Sequence, residues 1–516
     1  MAPTVKYELP DPDYEQYTWA WENEHTPGSQ PPLTREMFKG MLPPPSEGPP
    51  LQIAVHGYRY FRADATSGRP MPPAPDDGLS ALQRWEEEWL PRVNDLELEL
   101  REFNPSSVPP GEWESTLEAQ SEKFGKVFAG VHLQTVMPSG QLAEEFVEKY
   151  VGIFGEARRQ DALALLSGFD NQTFDRATQM WQLSRLIEDA PSLREFLDRP
   201  GVLDGPEIDV ESIFDAGLFG EGFRDFLEEW GSTMDMFVQD FPSWRENPAT
   251  ALALIRHEAD QPEDESPLAA EQARRKRRQE LEHELEAAAA NSADAAAVLD
   301  ALRDAQELLP VRENHNFLCD QRLSAASRYR WLHIGEHLVD AGKLSRTDDV
   351  FYLQHSELVA ALETTTTPEA ATIQERRDLQ AAIRATPPPV TLGKTLEDAS
   401  AAAGGERDQI QISGVAASPG QFRGRARVAR SIDEAATLTE EGILVCVVTA
   451  PAWTPVFGVV GAVVTDAGGA LSHPAIVARE YGIPAVVGTR TATSRIPNGV
   501  MITVDGTSGT VTVEPG

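Results

Sequence analysis

The stretch from Val463 to Gly488 constrains this chain more than any other. It reads Val-Val-Thr-Asp-Ala-Gly-Gly-Ala-Leu-Ser-His-Pro-Ala-Ile-Val-Ala-Arg-Glu-Tyr-Gly-Ile-Pro-Ala-Val-Val-Gly. An apolar run ending at Val464 reads as a strand. Gly468 and Gly469 then allow a tight turn and a close approach of backbone to a ligand. Ser472 suits a helix N-cap and His473 takes the first helical position. Pro474 is tolerated in the first turn, where its missing N–H had no helical partner. Gly482, with Pro484 just beyond, ends the helix, and Ala485 to Val487 begin another strand. An imidazole thus stands at the positive end of a helix dipole, beside N–H groups suited to holding an anion. With an unperturbed pKa of about 6.5, imidazole is largely neutral and nucleophilic at pH 7. It can accept a phosphoryl group and split one hard transfer into two easier ones. His473 is the candidate catalytic residue, and Gly468, Gly469 and Ser472 are the candidate phosphate-holding residues.

The rest of the chain divides by texture. Residues 410–516 alternate short Val/Ile-rich runs with Gly-containing turns, as in a compact α/β domain. Residues 386–409 are rich in Pro, Ala and Gly and read as a linker. Residues 1–385 read as a mainly helical body, irregular up to residue 78 apart from an extended segment over 51–61. Ser266 to Leu308 looks like one long exposed helix opened by Ser266-Pro267. Its basic run Arg274-Arg-Lys-Arg-Arg278 reads as a solvated face rather than a phosphate site. Trp19, Trp21, Tyr58 and Tyr60 suit either a core or the wall of an organic-substrate pocket, the core being the commoner use.

With 516 residues the chain has room for two to four domains. A net charge of -37 argues against nucleic acid and anionic membrane as partners. No run approaches the ~20 apolar residues of a membrane helix. Cys319 and Cys446 are far apart and in no metal-binding spacing, which excludes a disulfide framework and points to the cytoplasm. No phosphate-binding Gly-x-x-x-x-Gly-Lys loop occurs. His333 and His337 stand at i,i+4, but without the His-Glu-x-x-His arrangement, and no metal site is expected.

These motifs carry a resemblance. Gly414-Val-Ala-Ala-Ser-Pro-Gly420, Gly424-Arg-Ala-Arg-Val428, the histidine segment and Val504-Asp-Gly-Thr-Ser-Gly-Thr-Val511 resemble the phosphohistidine swivelling domain of phosphoenolpyruvate (PEP)-utilising enzymes. Looser islands upstream are similar to the helical part of rifampicin phosphotransferase-like and phenylphosphate synthase-like proteins. They are Trp21-Glu-Asn-Glu24, Val55-His-Gly-Tyr-Arg-Tyr60, Phe226-Leu-Glu-Glu-Trp-Gly231, Arg312-Glu-Asn314 and Asp348-Asp-Val-Phe-Tyr-Leu353. The resemblance implies a multidomain α and α/β protein, a mainly helical body followed by a compact β/β/α swivelling domain. It also implies phosphorylation of His473. Arg312 and Glu313 would join His473 as catalytic residues, and Arg322 and Arg328 would bind the acceptor. Guanidinium groups steady phosphoryl charge, and a carboxylate orients or deprotonates a hydroxyl. The same residues also suit an ordinary ion-paired helix face. Gly231-Ser-Thr233 and Asn316 depart from the rifampicin-type pattern, so a different acceptor is expected.

Nothing before residue 410 resembles the nucleotide-binding module of this family, and no barrel that binds phosphoenolpyruvate or pyruvate is expected after the histidine-bearing domain, residues 410–516. The expectation is a split phosphotransferase. An ATP-grasp-like partner subunit binds ATP and Mg2+ and charges His473, no cofactor is held tightly by this chain, and the phosphoryl group passes to a small hydroxylated acceptor. The alternative is a phosphocarrier or regulatory protein without its own small-molecule substrate.

Overall fold

The computed structural model describes residues 5–22, 28–36, 50–63, 79–199, 210–234, 237–263, 266–386, 388–394, 410–430, 432–435, 442–449, 451–470 and 472–514. The chain forms two compact units that alternate along the sequence. One holds Met1–Gln134, Met236–Phe241 and Leu318–Gly405. The other holds Thr135–Asp235, Pro242–Phe317 and Glu406–Gly516.

The first unit combines helices with a four-stranded antiparallel sheet of order β2-β3-β1-β4. Its strands are β1 (Thr18–Trp21), β2 (Gln52–Val55), β3 (Tyr58–Arg62) and β4 (Thr391–Gly393). The extended segment expected at 51–61 is the β2–β3 hairpin, and the aromatic residues face the core. Trp19 and Tyr60 are 0% exposed, and Trp21 and Tyr58 are buried beside them. Part of the expected linker is therefore structural, because β4 pairs with β1. Residues 387 and 395–409 of that linker lie outside the described residues.

The second unit contains four helices that matter for the site: α1 (Met137–Phe154), α2 (Gln172–Glu188), α3 (Pro267–Ala289) and α4 (Ala293–His315). The single long exposed helix expected over 266–308 is instead α3 and α4. Ser292 caps α4 by accepting from the Ala295 N–H, and Asn291 bonds back to the Ala287 carbonyl. Neither helix is merely exposed. Leu281 and Leu285 of α3 and Val298 and Leu302 of α4 join Phe146 and Val147 of α1 in one core.

The remainder of this unit is an eight-stranded sheet of order β5-β12-β11-β7-β8-β9-β10-β6. Its strands are β5 (Ile410–Ser413), β6 (Val415–Ser418), β7 (Gln421–Val428), β8 (Gly442–Cys446), β9 (Ala462–Thr465), β10 (Ala485–Val487), β11 (Met501–Asp505) and β12 (Thr510–Val513). The central strands β7, β8, β9 and β10 are parallel. β8, β9 and β10 are buried along their whole length, as a sheet covered on both faces requires. Cys446 is among these buried residues. Strands β5 and β6 lie at opposite ends of the order yet only Gly414 separates them, so the sheet must curl until its ends meet. The β11–β12 turn covers the join, where the Gly414 N–H donates to the Gly509 carbonyl.

Gly506 has no room for a side chain, since a Cβ there would stand 1.9 Å from the Ser418 carbonyl oxygen. Gly506→Ala is expected to lower the unfolding free energy by about 1–3 kcal/mol, measured by urea denaturation.

Candidate active site

Helix α5 (His473–Tyr481) crosses over from β9 to β10 and begins just beyond the C-terminal end of β9. Ligands of α/β sheets sit at such strand ends. Gly468 adopts φ +105°, a region closed to ordinary side chains, and a Cβ there would meet the Ser472 hydroxyl at 2.6 Å. Ser472 occupies the N-cap position with extended backbone, but its hydroxyl makes no cap bond. It donates instead to the Gly469 carbonyl at 2.8 Å, tightening the turn. The first-turn N–H groups of α5 thus keep no side-chain acceptor from the cap residue, which leaves the helix end suited to an outside anion. Gly482 closes the helix in the left-handed region, as its sequence position predicts.

The His473 ring points at α4. Its Nδ1 lies 3.6 Å from Oε2 of Glu313, and the two side chains are 15% and 13% exposed. The other ring nitrogen, Nε2, is buried with no hydrogen-bond partner among the described residues. A carboxylate beside Nδ1 selects the tautomer with its proton there and leaves the lone pair on Nε2. Burial pushes the Glu313 carboxyl up, but the His473 imidazole, Arg312 and His315 together outweigh it and hold the group below its ordinary range. Glu313 is accordingly a standing charge. Arg312 follows the same helix turn, and its guanidinium lies against Gly140 of α1. Arg312, Glu313, Ile476 and Glu480 line one narrow crevice with the Ser167–Asn171 loop.

Two residues of α5 to which the sequence reading gave no site role hold this arrangement. Arg479 is half-buried and donates to the Ala417 and Ala470 carbonyls at 2.7 and 2.8 Å, tying the glycine turn to β6. Burial pushes its guanidinium down to about 10 and Arg312 adds to that, against the pull of Glu480 and Glu313. Glu480 is pushed up to about 7, chiefly by burial. Arg274 pulls it down, Glu313 pushes it up, and Arg479 and a hydrogen bond to Asn171 pull it down. The family-like Ala-Arg-Glu string was the only sequence signal for either residue.

The basic run on α3 is more than a solvated face. Arg278 donates to the Ser167 and Gly168 carbonyls and stacks 3.8 Å over the Phe169 ring. Arg275 and Arg277 bond Asp170 and Asp161, both at 2.8 Å. Arg274 lines a crevice with Glu480 and Tyr481. The run therefore clamps the loop beside Glu313.

Arg322 and Arg328 belong to the first unit and have their own partners there. Arg322 pairs with Glu97 at 2.9 Å and Asn94 at 3.0 Å. Arg328 donates to the Gln239 carbonyl at 2.8 Å and lies 5.3 Å from the centre of the Phe351 ring. No helix among the described residues is long and apolar enough to cross a membrane.

Comparison with known proteins agrees with this geometry. Residues 438–509 match the family model for the PEP-utilising enzyme mobile domain. Residues 132–313, which end at Glu313, match the rifampicin phosphotransferase fourth domain. Chondramide synthase cmdD of Chondromyces crocatus is 31% identical over 464 residues, covering 84% of this chain and 12% of that protein. The uncharacterized phosphotransferase YvkC of Bacillus subtilis is 28% identical over 491 residues, 90% of this chain and 57% of that protein. Rifampicin phosphotransferase of Streptomyces sviceus is 30% identical over 379 residues, 70% of this chain and 42% of that protein. The chain thus spans 12% to 57% of the length of these relatives. Residues 438–509 are thus a mobile domain of the PEP-utilising enzyme type, and it follows a helical region related to the rifampicin phosphotransferase fourth domain. Over 70% to 90% of its length the chain is similar to phosphotransferases, rifampicin phosphotransferase among them.

Glu480 supplies a pH test. Its proton is held more tightly in the folded protein, so folding takes up a proton between about pH 4.5, the ordinary glutamate value, and about 7. Its contribution to stability is complete below that window and is lost as pH rises through it. Glu480→Gln is expected to flatten the stability profile across this range and to raise stability at pH 8 by on the order of 1–3 kcal/mol, measured by urea denaturation at several pH values.

Proposed function

We propose that this chain carries a phosphoryl group on Nε2 of His473 and passes it to a hydroxyl of a small organic acceptor. The observation that carries the reading is the approach of Glu313 to Nδ1, with Nε2 left unpartnered among the described residues. In the charging step Nε2 attacks a phosphorus of ATP, the P–O bond to the rest of the nucleotide breaks, and its electron pair leaves with that oxygen. Attack at the γ-phosphorus releases ADP, and attack at the β-phosphorus releases AMP and leaves a pyrophosphoryl group whose outer phosphate is then lost to water. In the second step the acceptor oxygen attacks phosphorus, the P–Nε2 bond breaks, and its electron pair returns to the ring. The acceptor proton leaves late, to solvent, as a loose transition state allows. Glu313 keeps Nδ1 protonated throughout, so the leaving group is neutral imidazole. Its lowered pKa suits orienting the ring better than removing a proton. Arg312 steadies the charge on the phosphoryl oxygens, and the turn of Gly468, Gly469 and Ser472 holds the group in its resting position.

ATP and Mg2+ enter this reading through an ATP-grasp-like partner subunit that charges His473 in trans. Arg322 and Arg328 belong to the acceptor side of the proposal. An acceptor that reaches Arg322 has to displace Glu97 and Asn94.

Incubation with the partner and γ- and β-labelled ATP is expected to yield an acid-labile, base-stable label that His473→Ala abolishes. A label that persists in His473→Ala overturns the proposal. Glu313→Gln is expected to retain the label but to slow its discharge by about 100-fold or more, measured by quenched-flow autoradiography. If the label forms and no metabolite fraction discharges it, the chain is a phosphocarrier without an acceptor of its own.

A further inference from the structure

We propose that Gly140 is a positioning residue for phosphoryl transfer: the missing side chain is the seat in which the Arg312 guanidinium rests. The inference depends on the reading of Arg312 given above and extends it to a residue on another helix. Gly140 is the fourth residue of α1, where a glycine is a poor helix former compared with alanine. Its surroundings give the reason for tolerating it. A Cβ at Gly140 would stand 2.4 Å from Nη1 of Arg312 and 3.6 Å from its Cζ, and would meet no other atom within 4 Å. Apart from the helix's own backbone, the space a side chain would take is thus filled, among the described residues, by one guanidinium alone.

Two further observations fix why the seat matters. Arg312 immediately precedes Glu313, whose carboxylate faces His473, so a displaced guanidinium moves relative to the ring that would bear the phosphoryl group. Arg312 also shares its surroundings with the half-buried Arg479, a like charge that disfavours a closer approach. Between that repulsion on one side and the backbone of α1 on the other, the guanidinium has a defined place. An added methyl group leaves the backbone intact, because the atom it strikes is the end of a flexible side chain. The substitution therefore shifts Arg312 by an ångström or more without unfolding the helix. Misplacement on that scale slows transfer by up to about 100-fold.

The test needs no knowledge of the acceptor. The full chain is loaded with phosphoramidate, whose P–N bond breaks as Nε2 of His473 takes the phosphoryl group and ammonia leaves. Hydrolysis is then followed by 31P NMR. Water attacks phosphorus, the P–Nε2 bond breaks, its electrons return to the ring, and inorganic phosphate is released. Gly140→Ala is expected to slow this step about 10- to 100-fold, with Tm unchanged or higher. In an Arg312→Ala background the same change is expected to have no further effect, because its route of action has been removed. Wild-type hydrolysis by Gly140→Ala alongside slow hydrolysis by Arg312→Ala overturns the seat. So does a Gly140→Ala effect that is undiminished in the Arg312→Ala background. Wild-type hydrolysis by Arg312→Ala removes the role of Arg312 and the seat together. Failure of His473 to gain any phosphoryl group refutes the carrier function itself, and the seat falls with it.

Discussion

The candidate site depends on one approach, that of the Glu313 carboxylate to Nδ1 of His473. A histidine ring at a helix start can rotate, and either nitrogen can carry the proton. A carboxylate held below its usual pKa by its cationic neighbours removes that freedom. It fixes the tautomer, aims Nε2 and gives the ring a charge partner. The surrounding packing serves the same geometry. Arg479 ties the turn before the ring to β6, and Arg278 ties the Ser167–Asn171 loop beside Glu313 to α3.

The polar groups around α5 are not ideally matched. Glu480 is buried with its pKa raised to about 7, and among the described residues the Tyr481 hydroxyl and the Nε atoms of Arg479 and Arg274 are buried without hydrogen-bond partners. Each such group forfeits solvation it would have in water.

Much of the site was legible because its signals are local. The turn glycines, the first-turn histidine followed by proline, and the left-handed Gly482 are each specified by residues within one helix length. Arg312 and Glu313 were legible only through the family-like islands. What escaped the sequence depends on distant partners. Strand β4 hides in a stretch that reads as linker, because the strand that pairs with it lies at the other end of the chain. Thr18 and Lys394, which bond beside that pairing, are 376 residues apart. The α3–α4 break was written in Asn291 and Ser292, but the Ala- and Glu-rich flanks obscured it. The basic run on α3 misled because its carbonyl and aspartate partners come from the Asp161–Asp170 region, and pairwise cancellation of this kind leaves no periodicity.

The closure of the eight-stranded sheet has a consequence outside catalysis. An open sheet presents a row of unpaired amides and carbonyls along each outer strand, and another chain can add to that row. Here the outer strands β5 and β6 are joined through Gly414 alone, and the β11–β12 turn lies against the backbone of β6. Little free edge is left for strand addition. Whenever such a sheet is exposed, as before it packs on its helices during folding, this closure protects it from polymerising through its backbone.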